Sequence, residues 1–195
     1  IGQDSDATAT RSTAVGRFSG ANGERSTATG FGSRADGFGT TAVGDFSSAT
    51  GDSATAIGQD SSASAEDSTA VGQNARATAD GASAYGAGAL AAGESSTALG
   101  EDSDATALRS TAVGRFSGAN GERSTATGFG SRADGYASTA YGDFAMASAT
   151  QSTAIGQAST ATASGASAFG WQASAGGANA LALGTSANAG FDDSV

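Results

Sequence analysis

Three consecutive segments, STAVGRFSGANGER at residues 12–25, STATGFGSRADGFG at 26–39 and TTAVGDFSSATGDS at 40–53, align with one another without a gap. If the first residue of each segment is position 1, this 14-residue register continues along the chain with no insertion or deletion, leaving a partial repeat at either end. A fixed short period is typical of solenoid proteins. The sequence therefore predicts one continuous repeat array over residues 1–195.

Small residues alternate along each repeat. Positions 3 and 10 are always Ala, position 5 is always Gly, position 8 is Ser or Ala, and position 12 is Gly or Ala until Phe191. A period of two predicts two short strands per repeat, with turns near positions 6–7 and 13–14. Stacked repeats would form an all-β, parallel β-solenoid with 14 residues per coil and one pair of sheet layers. We predict that positions 3, 5, 8, 10 and 12 face its interior.

Position 4 carries the large side chains, and a coil filled with small residues would turn them outward. The resulting apolar stripe predicts association of parallel copies, because extended exposed apolar patches usually mark interfaces. The alternative is a monomer with position 4 inside the coil. Ile1 opens the column, and Thr29 and Thr127 interrupt it. The predicted interface residues are Val15, Val43, Ile57, Val71, Tyr85, Leu99, Val113, Tyr141, Ile155, Phe169 and Leu183.

Composition argues against several functions. The net charge is −10, all nine basic residues are Arg, and the chain has no His, Cys or Pro. An acidic chain without a basic stripe is unsuited to nucleic-acid binding. Without His and Cys, the common catalytic bases, nucleophiles and thiolate metal ligands are missing. No apolar run reaches membrane-spanning length. The sequence predicts no enzyme, no cofactor or metal site, and no membrane insertion by this segment.

Charged residues gather in the predicted turns. The adjacent carboxylates Glu66–Asp67 and Glu101–Asp102 lack the apolar pocket that would separate the pKa values of a catalytic pair. The segment 86–88, Gly-Ala-Gly, follows from the repeat and lacks the context of a dinucleotide fingerprint. The acidic row at position 13 is either a weak cation groove or, as we favour, a solvated turn row: Asp52, Glu66, Asp80 and Glu94. Position-14 arginines could pair with adjacent glutamates, within a chain or between subunits: Arg11, Arg25, Arg109 and Arg123, with Glu24 and Glu122.

Aromatic and hydroxyl rows offer further candidate surfaces. The aromatic residues of positions 6 and 7 are either adhesive anchors or, as we favour, packing groups against a neighbouring subunit: Phe18, Phe31, Phe46, Phe116, Phe129, Phe144 and Trp171. The position-2 Thr column suggests ice binding as a less favoured alternative: Thr13, Thr27, Thr41, Thr55, Thr69 and onward. Residues 144–190 carry no charge. The segment Arg11–Gly37 is identical to Arg109–Gly135, which indicates a recent duplication of seven repeats.

The motif STAVG followed by xxS and xAxG resembles the head repeat of YadA-like trimeric autotransporter adhesins. Residues 152–156, STAIG, and 180–184, ALALG, match it well, and the resemblance covers the whole chain. It implies a left-handed β-roll, a homotrimeric rod, and export to the outer-membrane surface of a Gram-negative bacterium. It also implies adhesion to host matrix proteins, host cell-surface molecules or other surfaces. A structural spacer that projects another adhesive domain is the alternative within this family.

Overall fold

A computed structural model describes residues 2–195, so Ile1, the first member of the position-4 column, lies outside the described residues. The described chain forms strands and turns, and it contains no helix long and apolar enough to cross a membrane. The chain divides into two compact units, Ile1–Glu101 and Asp102–Val195. Each unit is a parallel β-solenoid with 14-residue coils, which confirms the predicted fold class.

Each coil contributes one strand of three residues, from positions 2–4, and one of two residues, from positions 9–10. We call the resulting layers the long-strand sheet and the short-strand sheet. In the first unit the long-strand sheet contains β2 Thr13–Val15, β4 Thr27–Thr29, β6 Thr41–Val43, β8 Thr55–Ile57, β10 Thr69–Val71, β12 Ser83–Tyr85 and β14 Thr97–Leu99. The short-strand sheet contains β1 Asp6–Ala7, β3 Gly20–Ala21, β5 Arg34–Ala35, β7 Ser48–Ala49, β9 Ser62–Ala63, β11 Arg76–Ala77 and β13 Leu90–Ala91.

The second unit repeats this arrangement. Its long-strand sheet contains β16 Thr111–Val113, β18 Thr125–Thr127, β20 Thr139–Tyr141, β22 Thr153–Ile155, β24 Ser167–Phe169 and β26 Leu181–Leu183. Its short-strand sheet contains β15 Asp104–Ala105, β17 Gly118–Ala119, β19 Arg132–Ala133, β21 Met146–Ala147, β23 Thr160–Ala161, β25 Ser174–Ala175 and β27 Asn188–Ala189.

Within each unit, neighbouring strands of a sheet lie one coil apart and pair in parallel, residue for residue. Val43 lies opposite Ile57 in the long-strand sheet, and Met146 lies opposite Thr160 in the short-strand sheet. The ladder continues through the turns, where the amide N–H of Phe46 donates to the carbonyl of Phe31 at 2.8 Å. Because strands and turns share one backbone ladder, an insertion in any coil would leave hydrogen-bonding groups unpaired.

Alanine fills the interior at positions 3 and 10. From Ala21 to Ala175 these side chains have no exposed surface. The hydroxyl or methyl groups of position 8 are buried apart from those of its half-buried first and last copies, Ser5 and Ala187, and position 12 is buried or half-buried apart from Phe191. The predicted interior is thus confirmed at positions 3, 8 and 10 and in part at position 12.

Position 1 is also interior, which the sequence analysis did not predict. Its side chains from Ser26 to Ala180 are fully buried. Hydroxyls at positions 1 and 8 donate hydrogen bonds to backbone carbonyls of the preceding turns. Ser19 Oγ donates to the carbonyl of Gly16 at 2.8 Å, and Thr40 Oγ1 donates to that of Gly37 at 2.9 Å. The signal was present in the sequence, because position 1 is Ser, Thr or Ala in every copy.

The prediction that position 5 faces the interior was wrong. These glycines are partly exposed, and every one has a φ between +119° and +146°. A Cβ on Gly58 would lie 2.5 Å from the carbonyl oxygen of Gly72 in the next coil. Position 5 is therefore Gly because the backbone turns there through a conformation closed to L side chains and because successive coils touch through their main chains.

We expect Gly58→Ala to destabilise the fold by more than about 3 kcal/mol, because the methyl group would meet a carbonyl oxygen and adopt an unfavourable φ. Gly39→Ala is the matched control, since that glycine has a φ of +68° and open space around its absent Cβ. It should cost about 1 kcal/mol. Urea unfolding followed by circular dichroism measures both values. Equal losses in the two variants would contradict this explanation of the position-5 glycine.

Buried serines at position 1 differ according to the residue at position 12. When position 12 is Ala, as at Ala65, the Ser68 hydroxyl donates to its carbonyl at 2.6 Å. When position 12 is Gly, the buried Ser hydroxyl has no hydrogen-bond partner among the described residues, as at Ser26, Ser96, Ser124 and Ser138. A buried hydroxyl without a partner carries a desolvation cost of about 1–3 kcal/mol.

Ser96→Ala should therefore leave the free energy of unfolding unchanged or raise it, because the methyl group fits and the unpaired hydroxyl is removed. Ala already occupies this position in other coils, for example at Ala54 and Ala82. Ser68→Ala should lower the free energy of unfolding by about 1 kcal/mol, because a satisfied hydrogen bond is lost. Paired urea titrations give the comparison, and a larger loss for Ser96→Ala than for Ser68→Ala would refute it.

Candidate functional surfaces

The position-4 side chains point away from the coil in both units. On the outer face of the long-strand sheet, their large members range from half-buried to 70 % exposed at Leu183. Because the strands pair in fixed register, the position-4 side chains of neighbouring coils are direct neighbours along the sheet, as Val71 and Tyr85 are. The structure thus confirms the predicted outward stripe and excludes the alternative in which position 4 fills the coil.

Threonines of position 2 flank this stripe on the same face. Thr27, Thr41 and Thr55 pair in register and are half-buried. The face therefore presents one hydroxyl column beside one apolar column. A surface of this composition is better suited to contact with protein than a face made of Thr alone.

Aromatic rings stack along the turn of positions 6 and 7. We call Phe18, Phe31 and Phe46 the first aromatic cluster and Phe116, Phe129 and Phe144 the second aromatic cluster. In the first, the ring of Phe31 contacts Phe18 at 5.7 Å and Phe46 at 5.1 Å between centroids, in edge-to-face geometry. The second has the same arrangement at 5.7 and 5.2 Å. Edge-to-face contacts stabilise such pairs by about 0.5–1.5 kcal/mol beyond area burial.

Local backbone features build the first aromatic cluster. Phe18 and Phe46 adopt φ values of +59° and +56°, a left-handed conformation unusual for a bulky residue. Gly32 leaves room for the ring of Phe46, which lies 3.0 Å from where a Cβ would stand. The guanidinium of Arg17 lies 4.5 Å from the Phe18 ring centroid. The rings pack within the chain, yet each remains 37–54 % exposed.

The opposite turn, at positions 13 and 14, also carries aromatic and charged groups. The guanidinium of Arg25 lies 5.8 Å from the ring centroid of Phe38, and Arg123 Nη1 donates to Tyr136 Oη at 3.2 Å. The predicted pairing of Glu122 with Arg123 is present within the chain at 3.8 Å. Exposed ion pairs of this kind add little stability.

Polar side chains form a ladder on the short-strand face that the sequence analysis did not predict. In the second unit Thr106 donates to Asn120 at 2.9 Å, Asn120 donates to Asp134 at 2.8 Å, and Arg132 pairs with Asp134 at 3.0 Å. An equivalent ladder in the first unit joins Thr8, Asn22, Asp36 and Arg34. The sequence feature that could have predicted this ladder is the presence of hydrogen-bonding residues at position 11 in three successive repeats.

Acidic side chains at positions 6 and 13 have a structural role in the turns. The Asp52 carboxylate accepts the amide N–H of Phe38 at 2.8 Å, and Asp45 accepts that of Phe31 at 3.0 Å. Partial burial, with a smaller contribution from the charge of Asp102, raises the pKa of Asp104. Among residues 2–195 no cluster of acidic side chains is arranged to hold a metal ion, and no pocket is present.

Comparison with protein families finds one family model that matches repeatedly along the chain. The model of the YadA head domain repeat, which represents two copies of the repeat, matches residues 7–33, 35–61, 63–89, 91–117, 119–145, 147–173 and 175–195. These matches cover nearly the whole chain and follow one another every 28 residues, which is two coils.

Among solved structures, the collagen-binding domain of the Yersinia adhesin YadA is similar, with 27 % sequence identity and a TM-score of 0.43. The alignment covers 77 % of this chain and 69 % of that domain. A search of curated proteins found no match.

Proposed function

The chain belongs to the family of YadA head domain repeats, and on this basis we propose that it is the head of a trimeric autotransporter adhesin that attaches a Gram-negative bacterium to host surfaces. The family supplies the adhesin-type head and the expectation of export to the cell surface. The observation that carries the proposal in this chain is the outward apolar stripe of position 4, repeated in register on the long-strand sheet.

Three parallel chains would bury that stripe around a common axis. Among the described residues the coil interiors hold only Ala, Gly, Ser and Thr40, so each coil buries little apolar surface of its own. The position-4 side chains would supply the missing apolar core between chains, with the Thr column of position 2 at its margin. The proposed trimer interface consists of Val15, Val43, Ile57, Val71, Tyr85, Leu99, Val113, Tyr141, Ile155, Phe169 and Leu183.

The short-strand sheet would then face outward, toward the ligand. The similar Yersinia domain is described as collagen-binding, and we propose matrix proteins or host cell-surface molecules as the ligand class here. With no pocket among residues 2–195, binding would use the flat surface of positions 9 and 11. Repeated surfaces on three chains allow weak contacts to add up to strong attachment. This function requires neither catalysis nor a cofactor.

The second candidate is a structural spacer that projects another adhesive domain. Its support is the regularity of the coils, since most outward positions vary without gathering into one distinct site. Ice binding through the Thr column remains a third and less favoured function, because the adjacent outward column is apolar.

We predict that the wild-type chain is a trimer of about 55 kDa by light scattering, from a chain mass of 18.4 kDa. Val43→Asp, Ile57→Asp and Val71→Asp, combined in one variant, should abolish the trimer because nine carboxylates would meet at the axis. The matched control places Asp in the same coils on the short-strand face, with Thr50→Asp, Ser64→Asp and Thr78→Asp. It should remain trimeric. Loss of assembly in the control alone would reverse the inside and outside of the proposed trimer.

Adhesion is tested with the wild-type trimer on immobilised collagen, fibronectin and laminin and on cultured epithelial cells. We expect binding to at least one of these surfaces, with loss of at least tenfold in apparent affinity when the trimer is dissociated by the triple Asp variant. A trimer that binds none of them would favour the spacer. A thermal-hysteresis measurement on the same sample tests ice binding.

A further inference from the structure

One coil in each unit lacks the large apolar residue of position 4. In the first unit that residue is Thr29, and the same coil carries Phe31 at position 6 and Phe38 at position 13. The second unit has Thr127 at position 4, with Phe129 and Tyr136 at the corresponding turn positions. Aromatic side chains therefore stand on both edges of the coil whose sheet face is polar. Phe31 and Phe129 are each 37 % exposed, while Phe38 and Tyr136 are 47 % and 42 % exposed.

Charged residues on the two edges of neighbouring coils are complementary. We call the turn of positions 6–7 the first edge and that of positions 13–14 the second edge. In one coil Arg17 on the first edge lies at the same level as Glu24 on the second edge, seven residues later, and Phe18 lies at the same level as Arg25. One coil earlier, Asp4 corresponds to Arg11. Opposite charges, and a ring with a guanidinium, thus share the same level of the solenoid.

The second unit has the same correspondences. Asp102 corresponds to Arg109, Arg115 to Glu122, and Phe116 to Arg123. Most of these residues lie in the duplicated segment and do not count as independent support. Tyr136 lies outside the identical segment, and its equivalent in the first unit is Phe38. An aromatic residue therefore occupies the second edge in both units although the sequences have diverged there.

The two edges of one chain do not meet. Five residues of a strand layer separate them, which at about 3.3 Å per residue is roughly 17 Å. Complementary groups at one level can therefore come together only between copies. Rotation about an axis parallel to the solenoid keeps every residue at its own level, so the first edge of one copy faces the second edge of the next. This step rests on the parallel assembly proposed above.

We propose that these edges form two locks between copies of this chain, the first at residues 4–39 and the second at residues 102–137. In each lock the ring at position 6 packs against the ring at position 13 of the next copy. The flanking coils add ion pairs and a contact between an arginine and an aromatic ring. The occupant of the half-exposed aromatic edge is thus a second copy of the chain, and not a separate ligand.

The locks select the axial register of the assembly. Every coil presents nearly the same sheet face, so chains displaced by one coil would still bury most of the position-4 stripe. That displacement would place Arg17 against the edge that carries Arg11 and would move Phe31 from Phe38 to Glu24 and Arg25. The repulsion between Arg17 and Arg11 and the loss of the contact between the Phe31 and Phe38 rings disfavour the displaced register, in the way that edge charges select register in coiled coils.

A charge-reversal cycle tests the ion pair of the first lock. Arg17→Glu and Glu24→Arg should each lower the melting temperature of the trimer by roughly 2–4 °C, and the double variant should recover most of the loss. Arg76→Glu reverses a charge on the short-strand face and is the control, with no change expected. A double variant no more stable than either single variant would remove the proposed contact.

Chemical cross-linking gives a second and independent test, because the chain has no Cys. Arg17→Cys combined with Glu24→Cys, treated with a short bis-maleimide, should yield a covalent trimer on a denaturing gel. Each single variant should stay monomeric there, because the contact joins unlike edges. Equal cross-linking in a single variant and the double variant would show edges meeting like to like and would overturn the proposal.

Light scattering on the same samples separates this inference from the proposed function. A monomeric wild-type chain would refute the assembly and the locks together. A trimer that shows neither rescue nor cross-linking would refute the locks alone. Phe31→Ser is the variant for the ligand alternative: an unchanged melting temperature with loss of binding to a matrix surface would make the aromatic edge a ligand site and overturn the lock.

Discussion

The rest of the structure depends on one constraint, the parallel backbone ladder that joins each coil of a unit to the next. The ladder passes through strands and turns alike, because the amide N–H of Phe46 donates to the carbonyl of Phe31 and that of Ser53 donates to the carbonyl of Phe38. It holds successive main chains so close that a Cβ at position 5 would meet a carbonyl oxygen. The strict glycine at position 5 and the strict repeat length both follow from this close approach of successive coils.

A coil this thin cannot contain its own large side chains. Alanine at positions 3 and 10 leaves space only for hydroxyls and methyl groups beside it, so Val, Ile, Leu and aromatic residues are placed outside. In a compact globular domain the same residues would form the core. Here they form the outer surface of the long-strand sheet, an exposed apolar column of the kind that usually marks an interface. In the proposed trimer this column would be buried between chains, so the stability of the chain would depend on its assembly.

Periodicity sufficed to predict the strands, the turns, the parallel register and the outward stripe. It misassigned position 5, because a conserved-looking small residue in an alternating pattern resembles an interior one, whereas Gly58 is required by its φ and by the neighbouring carbonyl. It overlooked position 1, because Ser96 and its equivalents look polar in sequence although their hydroxyls are buried. The polar ladder through Asn120 and Asp134 needed the side-chain geometry of adjacent coils, which a single repeat does not contain.

Repetition creates a difficulty that a varied sequence does not have. When each coil offers the same backbone ladder and almost the same apolar face, many relative displacements of two copies bury similar area, and burial alone cannot select one. Departures from the repeat then add a specificity that buried area alone does not supply. In this chain the departures lie mainly on the turns, where Phe31, Phe38 and the charges of the adjacent coil interrupt an otherwise regular pattern. In the proposed assembly, the irregular residues, which contribute least to recognising the repeat, would be the ones that align otherwise identical surfaces.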